Sequence, residues 1–144
     1  MKIYLDNCCF NRPFDDQTQI RIRLETEAKL DIQNRIRSGN IELAWSYILD
    51  FENSKNPFPE RKNRILSWKR IASEDIRETP DLLVAAEMAA SKGIKPLDSL
   101  HIACASMANC HFFLTTDDGI LKKVETFRKL RIVDPIEFMK GIKS

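Results

Sequence analysis

The chain has 144 residues, 43% hydrophobic and 31% charged, a balance that fits one folded domain over residues 1–144 and excludes a largely disordered chain. A formal net charge of +2 is too small to mark a bulk nucleic-acid binder by itself. No apolar run approaches the roughly 20 residues that span a bilayer, and the N-terminus lacks a basic-then-apolar leader, so a cytoplasmic protein with no membrane partner is expected.

In chain order, Lys2 to Leu5 reads as a short buried strand that ends in Asp6-Asn7. From about Asp16 to Ser38, Ile20, Leu24, Ala28, Ile32 and Ile36 recur along one flank of a long helix, and Gly39 supplies its stop. Ile41 to Trp45 is a second strand. Ser46 then caps a helix carrying Tyr47, Ile48, Phe51 and Glu52, which Asn56-Pro57 ends. A basic helix from Glu60 to about Ile71 and a short strand at Ile76 to Glu78 follow. Thr79-Pro80 opens a helix to Ser91, stopped by Gly93. Pro96-Leu97-Asp98 opens an apolar helix with Asp98 in its first turn. His111 to Thr115 is a strand delivering Thr115, Thr116, Asp117 and Asp118 to a helix from about Ile120, and Arg131 to Val133 is the last strand. Strands alternating with helices predict an α/β domain with a mostly parallel sheet.

Ligands of open parallel sheets bind beyond the carboxyl ends of the strands, where Asp6 and Asp117-Asp118 are expected. If Glu52 and Asp98 reach the same rim, each close pair of charges repels by roughly 3 kcal/mol at ~5 Å and an effective dielectric of about 20. Such a cluster calls for cations or protons, and oxygen donors suit Mg²⁺ or Mn²⁺ acting on a phosphodiester. Taken singly, each acid reads more simply as a turn residue, a cap or a solvated charge. Their order along the chain favours the site. Thiol chemistry is set aside: Cys8, Cys9, Cys104 and Cys110 form no paired zinc framework, and no Arg stands at phosphatase spacing after Cys8 or Cys9. A dinucleotide site is disfavoured by the lack of GxGxxG among only four glycines.

The residues Ile3-Tyr4-Leu5-Asp6-Asn7, the Glu52 helix, Pro96-Leu97-Asp98-Ser99-Leu100-His101-Ile102-Ala103 and Phe113-Leu114-Thr115-Thr116-Asp117 together resemble the PIN-domain family, which includes ribonucleases and the toxins of VapC-type toxin–antitoxin pairs. The similarity runs from Lys2 to about Met139. It implies a three-layer α/β/α fold with a mostly parallel five-stranded sheet, Mg²⁺- or Mn²⁺-dependent cleavage of RNA, and a small antitoxin partner; homodimerisation stays open. By position, Asp6, Asp98 and Asp117 resemble metal-binding carboxylates and Glu52 the further catalytic acid. Thr115 resembles the hydroxyl before the last Asp, and Asp118 is an assisting acid. Asn7 stands where many members have Thr or Ser, and keeps a polar group there.

Local basic residues are the candidates for RNA contact. Between Lys55 and Arg77 there are seven Lys or Arg against three acids, which singles out Lys69 and Arg70; Lys122 and Lys123 lie in a later cluster, and Arg12 follows Asp6 in an expected loop. His101, one turn beyond Asp98, reads as a packed or bracing residue, and Trp68 as core. The rival function is a PIN-like module, catalytically weak or inactive, that grips RNA or a protein without cleaving it.

Overall fold

The computed structural model describes residues 1–143 and contains one six-stranded sheet in the order β3-β2-β1-β4-β6-β5. The strands are β1 (Lys2–Leu5), β2 (Glu42–Ser46), β3 (Glu74–Ile76), β4 (Phe112–Leu114), β5 (Thr126–Phe127) and β6 (Leu130–Val133). The first four and β6 run parallel; β5 is an antiparallel edge strand. The expected five-stranded parallel sheet is therefore present, with a two-residue hairpin arm added through Arg128, whose φ of 58° makes the reversal.

Helices α1 (Asn7–Asn11), α2 (Ile20–Arg37), α3 (Tyr47–Ser54), α4 (Pro59–Ile71), α5 (Pro80–Ala90), α6 (Pro96–Met107), α7 (Asp118–Lys123) and α8 (Pro135–Lys143) complete the order. The pleat of β4 shows how they layer. Phe113 stacks on Tyr4 at 5.5 Å between ring centroids, and Tyr4 meets His101 of α6; the neighbouring Phe112 points the other way, onto Phe138 of α8. With α5 packed on α6 and α2 on α8, helices cover both faces of the sheet. The middle strands are accordingly apolar without alternation: Ile3, Tyr4, Leu5, Phe113 and Leu114 are all fully buried. Among the described residues no helix is long and apolar enough to cross a membrane.

Several local expectations change. Helix α2 begins at Ile20 rather than Asp16, because Asp16 accepts from the Thr18 amide at 3.0 Å and closes a turn ahead of it. Its expected apolar flank is partly on the outside: Ile20 is 71% and Leu24 48% exposed, while Glu25 and Lys29 are buried. The rotation follows from Glu25 meeting Arg12 at 3.2 Å and Lys29 lying over the rings of Phe10 and Trp68. Strand β3 sits two residues earlier than Ile76–Glu78, set by pairing of Ala44, Trp45 and Ser46 with Glu74, Asp75 and Ile76. The segment after Asp6, expected as a loop, is helix α1 and a 3₁₀ turn at Arg12–Phe14.

Candidate active site

Parallel pairing places the carboxyl ends of β1, β2 and β4 on one edge, with Leu5 beside Leu114. Asp6 leaves β1 there, its amide bound to the Leu114 carbonyl at 2.9 Å. The Asp6 side chain caps α1 through the Asn7 amide (2.8 Å), and its second oxygen accepts from Thr115 Oγ1 (2.8 Å). Thr115 Oγ1 in turn accepts from the Asp117 amide at 3.1 Å. One hydroxyl thus ties the first acid to the last. Asp117 caps α7 by accepting from the amides of Gly119 (2.7 Å) and Ile120 (3.4 Å). Cys8 lies beneath this corner, with Sγ 3.4 Å from Asp6 Oδ2.

Glu52 comes from α3, which starts where β2 ends because Ser46 caps it through the Leu49 amide (3.2 Å). The Glu52 carboxylate is gripped at both oxygens: Oε2 accepts from Asn7 Nδ2 at 3.2 Å, and Oε1 is hydrogen-bonded to His101 Nε2. Asn7 therefore keeps the polar contact expected of the position after Asp6. His101 is fully buried, and its Nδ1 lies 2.6 Å from Tyr4 Oη, itself 2.6 Å from Ser46 Oγ. Donating each proton once along this chain, Ser46 to Tyr4, Tyr4 to Nδ1, leaves Nε2 as the N–H that faces Glu52. Sequence reasoning takes His101 as a packed residue or a brace for Asp98, whereas its hydrogen bond goes to Glu52; it reads Tyr4 only as part of a buried strand and Ser46 only as a helix cap, so their place in this chain of hydrogen bonds is not foreseen.

Asp98, half-buried in the first turn of α6, has its carboxyl pushed up to about 6, first by burial and then by Asp6, Asp117 and Glu52, with His101 acting against them. His101 loses charge stability to burial, yet its Glu52 hydrogen bond and the acids Asp6 and Asp98 hold it above the ordinary histidine value. Among the described residues no Lys or Arg forms an ion pair with Asp6, Glu52, Asp98 or Asp117; only His101 approaches Asp6 (3.8 Å) and Glu52. An acid cluster whose basic neighbour is a buried histidine, with no Lys or Arg paired to it among the described residues, fits a bound cation. The closest donor set is Asp6, Glu52 and His101, whose ligand atoms lie within 4.8 Å of one another. Asn7 Oδ1, buried with no hydrogen-bond partner, is a further oxygen in the same place.

Asp118 is drawn away from this group. Arg21 grips both its oxygens at 2.7 and 2.8 Å, holding its carboxyl below the usual range. Arg12 is engaged by Glu25 and by Asp15 (3.1 Å), and Lys69 by Asp50 (3.1 Å). Arg70 and Lys122 are exposed, and Lys123 donates to the Gly93 carbonyl at 2.7 Å.

No family model and no curated protein sequence matches the chain. Solved structures do. VapBC2 from Rickettsia felis, bound to a DNA fragment from its promoter, matches at TM-score 0.59 and 14% identity over 92% of this chain and 97% of that one. DNA-bound VapBC from Salmonella typhimurium matches at 0.57 and 18%, over 94% and 98%. This chain has a VapC-type PIN-domain fold. VapBC-1 from nontypeable Haemophilus influenzae gives the same TM-score of 0.57 at 13% identity, over 94% and 98%. The likeness extends over nearly the whole length of each of these chains.

Proposed function

We propose that this chain is a Mg²⁺- or Mn²⁺-dependent endoribonuclease and the toxin of a toxin–antitoxin pair. The observation that carries the reading is the convergence of Asp6, Glu52 and Asp98, with Asp117 beside them, on the carboxyl edge of the sheet with no Lys or Arg ion pair among the described residues. Asp6 would hold the ion together with Asp98 and Asp117, whose charges act on one another across this edge, while Glu52 and His101, although close to Asp6, are bonded to each other. When bound, a divalent cation supplies charge neutralisation and Lewis acidity to a phosphodiester. The chain's own residues do the rest. Thr115 fixes the spacing of Asp6 and Asp117 by bonding both. His101 and Asn7 hold Glu52 at its two oxygens, which orients that carboxylate to accept a proton from the attacking water. Arg21 removes Asp118 from the work, so Asp117 is the acid of that pair that matters.

The fold is similar to that of chains whose structures are VapBC complexes, which supports an antitoxin as partner. Exposed apolar side chains on α5, with Val84 55%, Met88 47% and Leu83 42% accessible, support a protein partner or a second copy of this chain. The test incubates the full chain, freed of co-purifying protein, with mixed RNA and single-stranded DNA pools in Mn²⁺. Cleavage of RNA by the wild type, lost in chelator and in Asp6→Asn, is the expected result. RNA that is bound but left intact at every Mn²⁺ concentration would instead make the chain a non-cleaving binding module.

A further inference from the structure

Next to Glu52 the surface opens into a cavity of about 230 Å³ whose walls include Asn7, Asn11, Asn56, Lys55 and Arg61. The cations around the acid edge differ in what they already hold. Arg12 and Arg21 are taken up by Glu25, Asp15 and Asp118. Among the described residues Lys55 and Arg61 have no carboxylate within ion-pair distance, and each sits on an aromatic ring instead. Lys55 Nζ is 4.3 Å from the centroid of Phe51; the Arg61 guanidinium is 4.4 Å from Phe58 and 4.9 Å from Phe14. Arg61 is also fixed by donating to the Phe14 carbonyl at 3.3 Å. Phe51 and Phe58 remain 47% and 53% exposed, which leaves large apolar rings facing water beside two unpaired charges.

A cation against an exposed ring, occurring twice along the wall that leads to an acid cluster, matches the alternation of phosphate and base in an unpaired strand. A peptide would find mostly amides and charge in this cavity. We propose that the Lys55–Arg61 shelf binds one nucleotide of single-stranded RNA adjoining the scissile phosphate, with its phosphate at Lys55 and Arg61 and its base stacked on Phe58. The assignment rests on the ribonuclease reading above.

The probe is a fluorescein-labelled 12-nucleotide RNA of mixed sequence, titrated with the full chain at several salt concentrations in chelator so that it stays intact. Lys55→Gln with Arg61→Gln should weaken binding about tenfold and lower the salt slope by roughly 0.7, the value for one lost phosphate contact on a single strand. Phe58→Ala should weaken binding roughly five- to tenfold at an unchanged slope. Arg61→Lys keeps the charge and should keep the slope, which guards against a packing effect of the glutamine. Lys92→Gln with Lys95→Gln, both exposed, should change neither quantity. If the wild type cleaves RNA in Mn²⁺ while the double variant keeps its Kd and slope, the shelf is refuted and the ribonuclease reading stands. If the variants keep RNA but lose a deca-glutamate peptide that the wild type binds, the surface belongs to a protein and the proposal falls. A wild type that neither binds nor cleaves RNA overturns both readings.

Discussion

Gly119 sets how closely Asp117 can sit against its own helix. A Cβ at residue 119 would lie 3.0 Å from Asp117 Oδ1, the oxygen that accepts the Gly119 and Ile120 amides. Gly119→Ala should leave stability unchanged or raise it by up to ~1 kcal/mol through helix propensity, yet lower the Mn²⁺-dependent rate of RNA cleavage by moving the acid. A variant with unchanged rate would detach Asp117 from the chemistry. Tyr4 acts one step further back, by setting which nitrogen of His101 carries the proton that faces Glu52. Tyr4→Phe should lower cleavage about tenfold, as outer-shell changes do, and cost roughly 1–3 kcal/mol for the partner it strands in the core. Rate and melting curve together read both effects.

Lys29 is buried, and among the described residues its amine lies over the rings of Phe10 and Trp68 rather than against a carboxylate. The Gln33 amide, with its oxygen turned inward, accepts from Lys29 Nζ and from Trp68 Nε1 (3.1 Å). Burial pushes the Lys29 amine down to about 7, with Cys9 acting against that and Arg37 adding to it. Because the unfolded lysine titrates near 10.4, the unfolded state binds more protons between about pH 7 and 10.4, and stability from this group rises with pH across that window. Lys29→Met should therefore stabilise the chain at pH 6–7 by an amount on the order of a few kcal/mol, and the gain should shrink toward zero by about pH 10. Urea melts at three pH values decide it; a gain independent of pH would mean that Lys29 titrates alike in the folded and unfolded states, its amine having relaxed into water.

At the scale of elements, what could be read in advance was set by how local each signal is. Ser46 and Thr79 cap their helices where the sequence places them, through the amides of Leu49 and Leu82, and Gly39 and Gly93 adopt the positive φ expected of helix stops. Asp6 and Asp117 follow strands by the rule that the apolar run ends in a polar turn residue. The remainder depended on tertiary pairing. Strand β5 is two residues long and exists only because β6 offers it an edge, so no periodicity can announce it. Helix α8 was legible but overlooked: Asp134 caps it through the Glu137 amide at 2.7 Å, Pro135 follows, and Phe138 and Met139 are buried. In α2 the apolar spacing was real, but Arg12 and Arg21 recruited Glu25 inward and turned Ile20 and Leu24 to the outside. Replacing Ile20 and Leu24 by Gln should then change stability by no more than ~0.5 kcal/mol each, against roughly 2–5 kcal/mol for Ile32→Ala in the core. Denaturant midpoints compare them, and a large loss at Ile20 would restore the expected helix face.

Over the whole molecule, five parallel strands collect acids from four separated stretches of chain onto one edge and leave them, among the described residues, without a Lys or Arg ion pair. The central claim is that this edge holds a divalent cation. Titrating Mn²⁺ into the protein while reading the free-ion signal by electron paramagnetic resonance tests it without relying on any substrate. The wild type and Asp118→Asn should deplete the free signal equally, because Arg21 already holds Asp118, whereas Asp6→Asn and Asp98→Asn should bind at least tenfold more weakly. Equal binding by all four proteins, or none by the wild type, would contradict the account.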